Sequence, residues 1–108
     1  GEGTYINRYT IIDAHESIVV GRDCMIGPHV YITDSDHGTL AGELVGQQPM
    51  RSAPVTIEDG VWIGAGVIIL KGVTIGKGAI IGAGAVVTTS VPSAHIATGV
   101  PARTRRER

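Results

Sequence analysis

His37 closes an acidic turn and carries the side chain best suited to acid–base chemistry near neutral pH. The turn reads Thr-Asp-Ser-Asp-His-Gly over residues 33–38. A neutral imidazole can take a proton from an attacking hydroxyl, so His37 is a candidate general base, with an exposed loop histidine as the plain alternative. A base of this kind needs an orienting partner for its second ring nitrogen. The sequence offers four carboxylates without choosing among them: Asp13, Asp34, Asp36 and Glu43.

A single indole and a basic tail could also take part in chemistry. Trp62 is the only tryptophan. It falls in an outward position of the repeat described below, where an indole needs cover from a subunit interface or from a bound ligand. The tail holds four arginines within six residues: Arg103, Arg105, Arg106 and Arg108. Guanidinium groups suit phosphate, and a solvated basic tail is the alternative interpretation.

These residues are carried by a six-residue repeat of apolar side chains. The leading series is Ile57, Ile63, Ile69, Ile75, Ile81 and Val87. The second series, four places after each leading residue, is Val61, Val67, Val73, Ala79, Ala85 and Val91. A period of six excludes a continuous amphipathic helix, and it favours a short strand followed by a turn.

The N-terminal part of the chain repeats more loosely. Its leading residues are Val20, Ile26 and Ile32. Its second-series residues are read as Ile6, Ile12, Ile18, Cys24 and Val30. Because Ile32 and Ile57 are not a multiple of six apart, the frame breaks between them. Residues 34–54 are rich in glycine and proline, so they are predicted as an inserted loop, which on a repeat scaffold often carries function.

The repeat predicts an all-β solenoid in which leading and second residues face inward and each coil stacks on the one before. Sixteen glycines and no phenylalanine fit a narrow interior with many turns. We expect one domain over residues 1–108, with a basic tail from about residue 103. A prism of roughly four or five coils buries little apolar surface, which favours oligomerisation. The first coil lacks a polar cap, so we expect either a native segment before Gly1 or a partner over that end.

Composition narrows the partners and the location. A formal net charge of -1 gives no pull towards nucleic acid or membrane. No apolar run is long enough to span a bilayer, and no signal peptide is visible. The single cysteine, Cys24, excludes an internal disulfide, so we expect a reducing, cytoplasmic location. Its inward position indicates packing, which argues against a covalent acetyl-cysteine intermediate.

The chain resembles the hexapeptide-repeat acetyltransferases from about Ile6 to Arg106. The resemblance rests on Val-Trp-Ile-Gly-Ala-Gly at 61–66, Gly-Val-Thr-Ile-Gly at 72–76, Ile-Gly-Ala-Gly-Ala-Val-Val at 81–87, and Ala-Thr-Gly-Val-Pro-Ala at 97–102. The most similar members are galactoside, maltose and nodulation O-acetyltransferases and the sugar acetyltransferases of surface-polysaccharide pathways. The resemblance implies a left-handed parallel β-helix, a homotrimer with sites between subunits, and acetyl-CoA as donor. It also implies an acceptor that is a sugar or sugar nucleotide, with no metal.

The resemblance assigns the catalytic and donor-binding roles by position. His37 matches the family's catalytic histidine, and Trp62 matches a tryptophan near the donor's pantetheine arm or the acceptor ring. Ala65 matches a position, often serine, whose backbone N–H faces the thioester carbonyl and could stabilise an oxyanion. The remaining donor positions are Ala83 and Thr88 in the CoA groove, Thr89, and Arg103 and Arg106 at the CoA phosphates. Thr89 stands where the family often has lysine, so one phosphate contact is in doubt.

The acceptor positions are Asn7 and His15, in the loosely repeating part of the chain. His29 and His95 are interpreted as turn or surface residues. Three alternatives to O-acetylation remain: N-acetylation of an amino sugar, a non-catalytic scaffold, and a γ-type carbonic anhydrase. The last would need three convergent histidines, and the spacing of His15, His29, His37 and His95 gives no paired ligand set.

Overall fold

Short parallel strands wind through three sheets in turn, so that the chain forms a coil with three faces. The computed structural model describes all residues from Gly1 to Arg108. The strands are β1 Tyr5–Ile6, β2 Ile11–Asp13, β3 Ile18–Val20, β4 Met25–Ile26, β5 Tyr31–Thr33, β6 Ser35–Asp36, β7 Arg51–Ser52, β8 Val55–Ile57, β9 Trp62–Ile63, β10 Ile68–Ile69, β11 Thr74–Ile75, β12 Ile80–Ile81, β13 Val86–Val87, β14 His95–Thr98 and β15 Arg103–Glu107. The single helical turn, Val45–Gln47, is 3-10, and no helix has the length and apolarity needed to cross a membrane.

Each sheet collects one strand from every coil. The first sheet runs β1-β4-β9-β12-β14-β15, the second β2-β5-β10-β13, and the third β3-β8-β11. Pairing is parallel, and Trp62 lies beside Ile80, eighteen residues further on. Within these three sheets, only the last strand, β15, returns antiparallel, along β14. The molecule is therefore a prism, 45 × 28 × 20 Å, with three faces and three edges.

The interior confirms the repeat from Ile57 onward. Every leading residue from Ile57 to Val87 is at most 1% exposed, and the second series from Val61 to Val91 is buried as well. Cys24, Ile26, Val30 and Ile32 also lie in this core, so the inward position of Cys24 is confirmed. Stacked β-branched side chains fill the narrow interior because each coil repeats the shape of the coil beneath it.

The predicted second-series positions of Ile6 and Ile12 are wrong. Ile6 pairs with Ile26 and Ile12 with Ile32, so both are leading residues, twenty rather than eighteen positions before their partners. The corner after Ile12 is two residues longer than the others, which shifts the frame. Thr4 and Thr10 hold the second positions instead, and their hydroxyls donate to the carbonyls of Gly21 and Gly27 in the next coil.

The inserted loop is confirmed at 34–54, and it has its own internal order. It leaves and returns as an antiparallel hairpin, β6 against β7. Gln48 is buried inside it and donates from Nε2 to the carbonyls of Leu40 and Glu43, while its Oε1 accepts from the Leu40 N–H. A Cβ at Gly38 would meet Gln48 Oε1, so glycine is needed there. One buried amide thus closes the loop.

Asp34 holds the longer corner at the base of this loop. Its side chain is fully buried, and its oxygens accept from the backbone N–H groups of His15, Glu16 and Ser17, each at 2.7 Å. Burial raises the pKa of the carboxyl, but these backbone donors outweigh it and hold the pKa below its usual value. Asp34 therefore stabilises the corner that contains the two extra residues, at the point where the insertion begins.

We predict that Asp34→Asn lowers the melting temperature by several degrees at pH 7, because one acceptor oxygen becomes an N–H₂ facing a backbone donor. A lowered folded-state pKa contributes stability above the unfolded value, about 4, and that contribution is lost as the pH falls. The gap between variant and wild type should therefore shrink towards pH 3 in thermal unfolding followed by circular dichroism. Asp23→Asn, at an exposed corner, is the control. Equal losses in both variants would contradict this role for Asp34.

Candidate active site

A groove of about 510 Å³ follows the edge where the first sheet turns into the second. We call this edge the groove edge. Four of the residues predicted for the site line it: Asn7, Trp62, Ala65 and Ala83. The sequence therefore predicted a cluster that the fold does bring together, although its members are up to 76 positions apart.

Outward side chains of the first sheet form one wall of the groove. Tyr5 pairs with Met25, Met25 with Trp62, and Trp62 with Ile80, so the four stand in one row across the strands. Trp62 is 51% exposed, which confirms its outward position. Tyr5 was not predicted, because the misread frame of the first coil hid its place in this row. Met25 was not predicted either, because the 34–54 insertion hides from a linear pattern that it lies beside Trp62.

The backbone N–H groups of two groove-lining residues are left without an acceptor. The neighbouring amides of Gly64, Gly66, Gly82 and Gly84 all donate to carbonyls of adjacent coils. Those of Ala65 and Ala83 do not, and both alanines line the groove. Glycine keeps these amides accessible: a Cβ at Gly27 would lie 2.8 Å from the Ala65 nitrogen, and one at Gly64 would lie 2.7 Å from the Ala83 nitrogen. Free donors of this kind could bind an oxyanion or a carbonyl.

The arginine tail lies along the same sheet, beyond β14. Arg105 donates to the Thr98 hydroxyl and carbonyl, and Arg108 donates to the Gly78 carbonyl, so both fasten the tail. Arg103 and Arg106 contact only the carbonyls of their own chain neighbours. These two guanidinium groups remain accessible for a phosphate at this end of the sheet.

His37 lies on a different edge of the prism. It follows β6, where the second sheet turns towards the third, and we call this edge the loop edge. Its imidazole is exposed and forms no hydrogen bond or salt bridge within the chain, while its backbone carbonyl accepts from Arg51. Geometry within one chain therefore gives His37 neither an orienting partner nor access to the groove.

The four candidate partners of His37 are otherwise engaged or unconnected to it. Asp34 is excluded as the orienting partner of His37, because its oxygens accept the backbone hydrogen bonds of the corner described above. Asp36 pairs with Arg51 at 3.2 Å and with Lys71 at 3.6 Å, and Asp13 accepts from the Tyr31 hydroxyl. The Glu43 carboxylate forms no bond to the imidazole. Sequence reasoning missed Glu16, whose carboxylate accepts from the Ser52 hydroxyl at the base of the loop.

The predicted residues thus divide into two sets, one at each end of the second sheet. The groove-edge set is Asn7, Trp62, Ala65 and Ala83, with Arg103 and Arg106 beyond them. The loop-edge set is His37, His15, Thr88 and Thr89, which all lie in corners that follow second-sheet strands. The four histidines do not converge, since His15 and His37 lie on the loop edge, His29 on the groove edge and His95 in β14. A single chain does not assemble all the parts of one site.

Comparisons with known proteins define the class to which this coil belongs. The family model for the bacterial transferase hexapeptide (six repeats) matches residues 54–89. The family resemblance stated from the sequence is therefore confirmed. Galactoside O-acetyltransferase of Escherichia coli is 40% identical over 108 residues, which cover 99% of this chain and 52% of that protein. The chain spans about half the length of the curated relatives it matches.

Solved structures agree with this assignment. A hexapeptide-repeat acetyltransferase from Vibrio cholerae, complexed with acetyl-CoA, has a TM-score of 0.70 at 26% identity over 98% of this chain and 71% of that one. A mutant of an N-acyltransferase from Bacillus cereus, in complex with dTDP and coenzyme A, has a TM-score of 0.87 at 26% identity. That alignment covers 97% of this chain and 60% of the other.

We predict that the amides of Ala65 and Ala83 exchange with solvent much faster than those of Gly64 and Gly82. The glycine amides donate to carbonyls at 2.8 and 2.9 Å, whereas the alanine amides are exposed and unbonded. Hydrogen exchange of the ligand-free protein, followed by two-dimensional NMR, compares each alanine with its own neighbour as a control. Protection of Ala65 equal to that of Gly64 would show that the groove amides are not free.

Proposed function

We propose that the chain transfers an acetyl group from acetyl-CoA to a hydroxyl of a sugar or sugar nucleotide, in a site shared by two subunits of a homotrimer. The main support for this proposal is that the predicted site residues lie on two different edges of the chain. A base on the loop edge can act on a donor in the groove only if a neighbouring chain supplies one of them. The acetyl-CoA complex of the Vibrio cholerae relative supports the choice of donor. We further propose that the coil is left-handed, as the family resemblance implies.

The surface of the single chain supports such an assembly. The loop carries four large apolar side chains that are exposed: Leu40 and Leu44 at 69%, Val45 at 52% and Met50 at 40%. Clustered apolar side chains of this size on a loop indicate that a partner covers them. If the loop packs against the groove edge of the next subunit, it covers part of the row that contains Met25 and Trp62. His37 then approaches the groove from that partner.

The groove edge has the groups that such a donor would need. Arg103 and Arg106 would bind its phosphates, and Trp62 would flank its pantetheine arm. The Ala65 N–H would donate to the thioester oxygen as negative charge develops there. Thr88 and Thr89 lie on the loop edge, so they would contact the donor from the subunit that supplies His37. Because Thr89 has no charge, the two arginines carry the phosphate contacts.

His37 would act as general base and then as general acid. Its imidazole takes the proton as the acceptor oxygen attacks the thioester carbonyl, and it returns that proton to the departing thiolate of CoA. The acetyl group moves directly between substrates, because the Cys24 thiol is fully buried and donates to backbone carbonyls. Asn7 and His15 remain the proposed acceptor contacts, with Asn7 lining the groove.

N-acetylation of an amino sugar is the second candidate, because the structural relative from Bacillus cereus is an N-acyltransferase that binds dTDP together with coenzyme A. An amine is a stronger nucleophile than a hydroxyl, so it needs less help from His37. A non-catalytic scaffold is the remaining alternative. The cytoplasmic location stays a prediction.

Calorimetric titration of acetyl-CoA without acceptor tests the donor site. We expect saturable binding near one site per chain, weakened about tenfold or more by Arg106→Ala through loss of a guanidinium–phosphate contact. Arg22→Ala is the matched control, because it removes an exposed arginine from the remaining edge, where the third sheet turns into the first. Absence of binding by the assembled trimer would overturn the acetyltransferase proposal and leave the scaffold. Equal weakening by both variants would mean that only net charge matters.

Replacement of His37 by alanine separates the two acceptor classes. With a hydroxyl acceptor, we expect His37→Ala to lower kcat by about 10²–10⁴-fold, as loss of a general base does. With an amine acceptor the loss should be much smaller. Release of the CoA thiol, measured with a chromogenic thiol reagent, gives both rates, and His95→Ala is the control. Small and equal losses with both acceptors would remove His37 from the mechanism.

A further inference from the structure

Two aromatic rings are stacked on the surface beside the groove. The Tyr9 and His29 rings lie with their centroids 5.0 Å apart and their planes within 17° of parallel. Both residues occupy groove-edge corners of successive coils, and His29 directly follows Pro28, which lines the groove. Tyr9 is 74% exposed. The stacked pair therefore presents open aromatic faces to solvent rather than to the core.

The backbone is strained at both residues. Tyr9 has φ 62° and His29 has φ 57°, in the left-handed region that bulky side chains rarely adopt. The equivalent corners of the next two coils have glycine, Gly66 and Gly84, at φ 68° and 75°. The same turn hydrogen bond ties these corners together, from His29 to Arg8, from Gly66 to Pro28 and from Gly84 to Ala65. Glycine would adopt this conformation without strain. Tyr9 and His29 therefore have a cost in backbone conformational energy, which is typical of functional positions.

The position above His29 is open. The 5.0 Å ring spacing matches the distance of about 4.8 Å between adjacent strands, so a third ring would lie over Gly66. A Cβ at Gly66 would meet nothing within 4 Å. Ala65, with its free N–H, directly precedes Gly66 in the chain. A ring stacked on His29 would therefore lie beside the proposed position of the thioester.

We propose that Tyr9 and His29 form a stacking platform for the pyranose ring of the acceptor, which lies on His29 over Gly66. This inference rests on the acetyltransferase function proposed above. A pyranose has a face of C–H bonds, whose partial positive charge suits the negative face of an aromatic ring. Asn7 lies on the same corner, and its Oδ1 accepts from the Arg8 N–H, which leaves its Nδ2 to donate to a sugar hydroxyl. The accessible arginines lie at the far end of the sheet, which assigns the nucleotide of the donor to that end.

Asparagine variants test the platform without harming the fold. Asparagine tolerates the left-handed region, so Tyr9→Asn with His29→Asn removes both rings and relieves strain. We expect the melting temperature to stay level or rise and acetyl-CoA binding to stay unchanged. The acceptor KM should increase about tenfold or more, a loss similar to that of one aromatic stacking contact, while kcat changes little.

NMR detects the stacking directly in the wild-type protein loaded with CoA. The probes are the methyl glycosides of galactose, glucose and N-acetylglucosamine. Stacking on His29 shifts the C–H protons of a bound sugar upfield through the ring current, and the double variant should abolish that shift. Tyr31→Asn, which removes an aromatic ring from the second sheet, should leave it intact.

Several outcomes would overturn the platform. These are an unchanged sugar shift or acceptor KM in the double variant, no shift with any of the three glycosides, or shifts with adenosine alone. Trimer dissociation in the double variant would instead assign the rings to a contact between subunits. In each case intact acetyl-CoA binding would leave the proposed function standing. Loss of donor binding in the wild type would reject that function first.

Discussion

Every feature of this molecule depends on the hydrogen bonds that hold each coil to the next. Residues one turn of the coil apart lie side by side, so each leading residue lies next to the leading residue of the neighbouring coil. Ile63, for example, lies beside Ile81. This register leaves inward space only for small or β-branched side chains. In the parallel sheets it also leaves no place for an extra residue within a strand, so additions lie at the edges.

The two edges beside the second sheet accommodate the irregular parts of the chain in different ways. On the loop edge, the Asp34 carboxylate holds the longer corner by three backbone hydrogen bonds, and the 34–54 insertion begins there. On the groove edge the coil stays regular, and glycine at the turn exposes the backbone of the next coil. The first arrangement presents an exposed side chain, His37, whereas the second presents backbone amides. A transfer reaction needs both, and the prism keeps them apart within one chain.

The chemical groups exposed on the groove edge change from one end of the prism to the other. Arginines lie at the β15 end, the indole of Trp62 and the free alanine amides lie in the middle, and the Tyr9–His29 pair lies at the β1 end. That order matches a phosphate-bearing donor whose reactive end points towards an acceptor. Because all these groups are mounted on one rigid sheet and its corner, their spacing is set by the strand repeat rather than by flexible loops.

The sequence alone determined the all-β solenoid, its core from Ile57 to Val87 and the position of the insertion, because a period of six and its interruption are local properties. It also selected four residues that line one groove, through their place in the repeat and the family resemblance. It misplaced Ile6 and Ile12, since threonines at 4 and 10 conceal the inward series of the first coil. Only the tertiary structure showed that Asp34 holds a corner, that Gln48 closes the loop, and that His37 and Trp62 lie on different edges. Those facts depend on which residues meet across a whole turn of the coil, and a linear pattern does not contain that information.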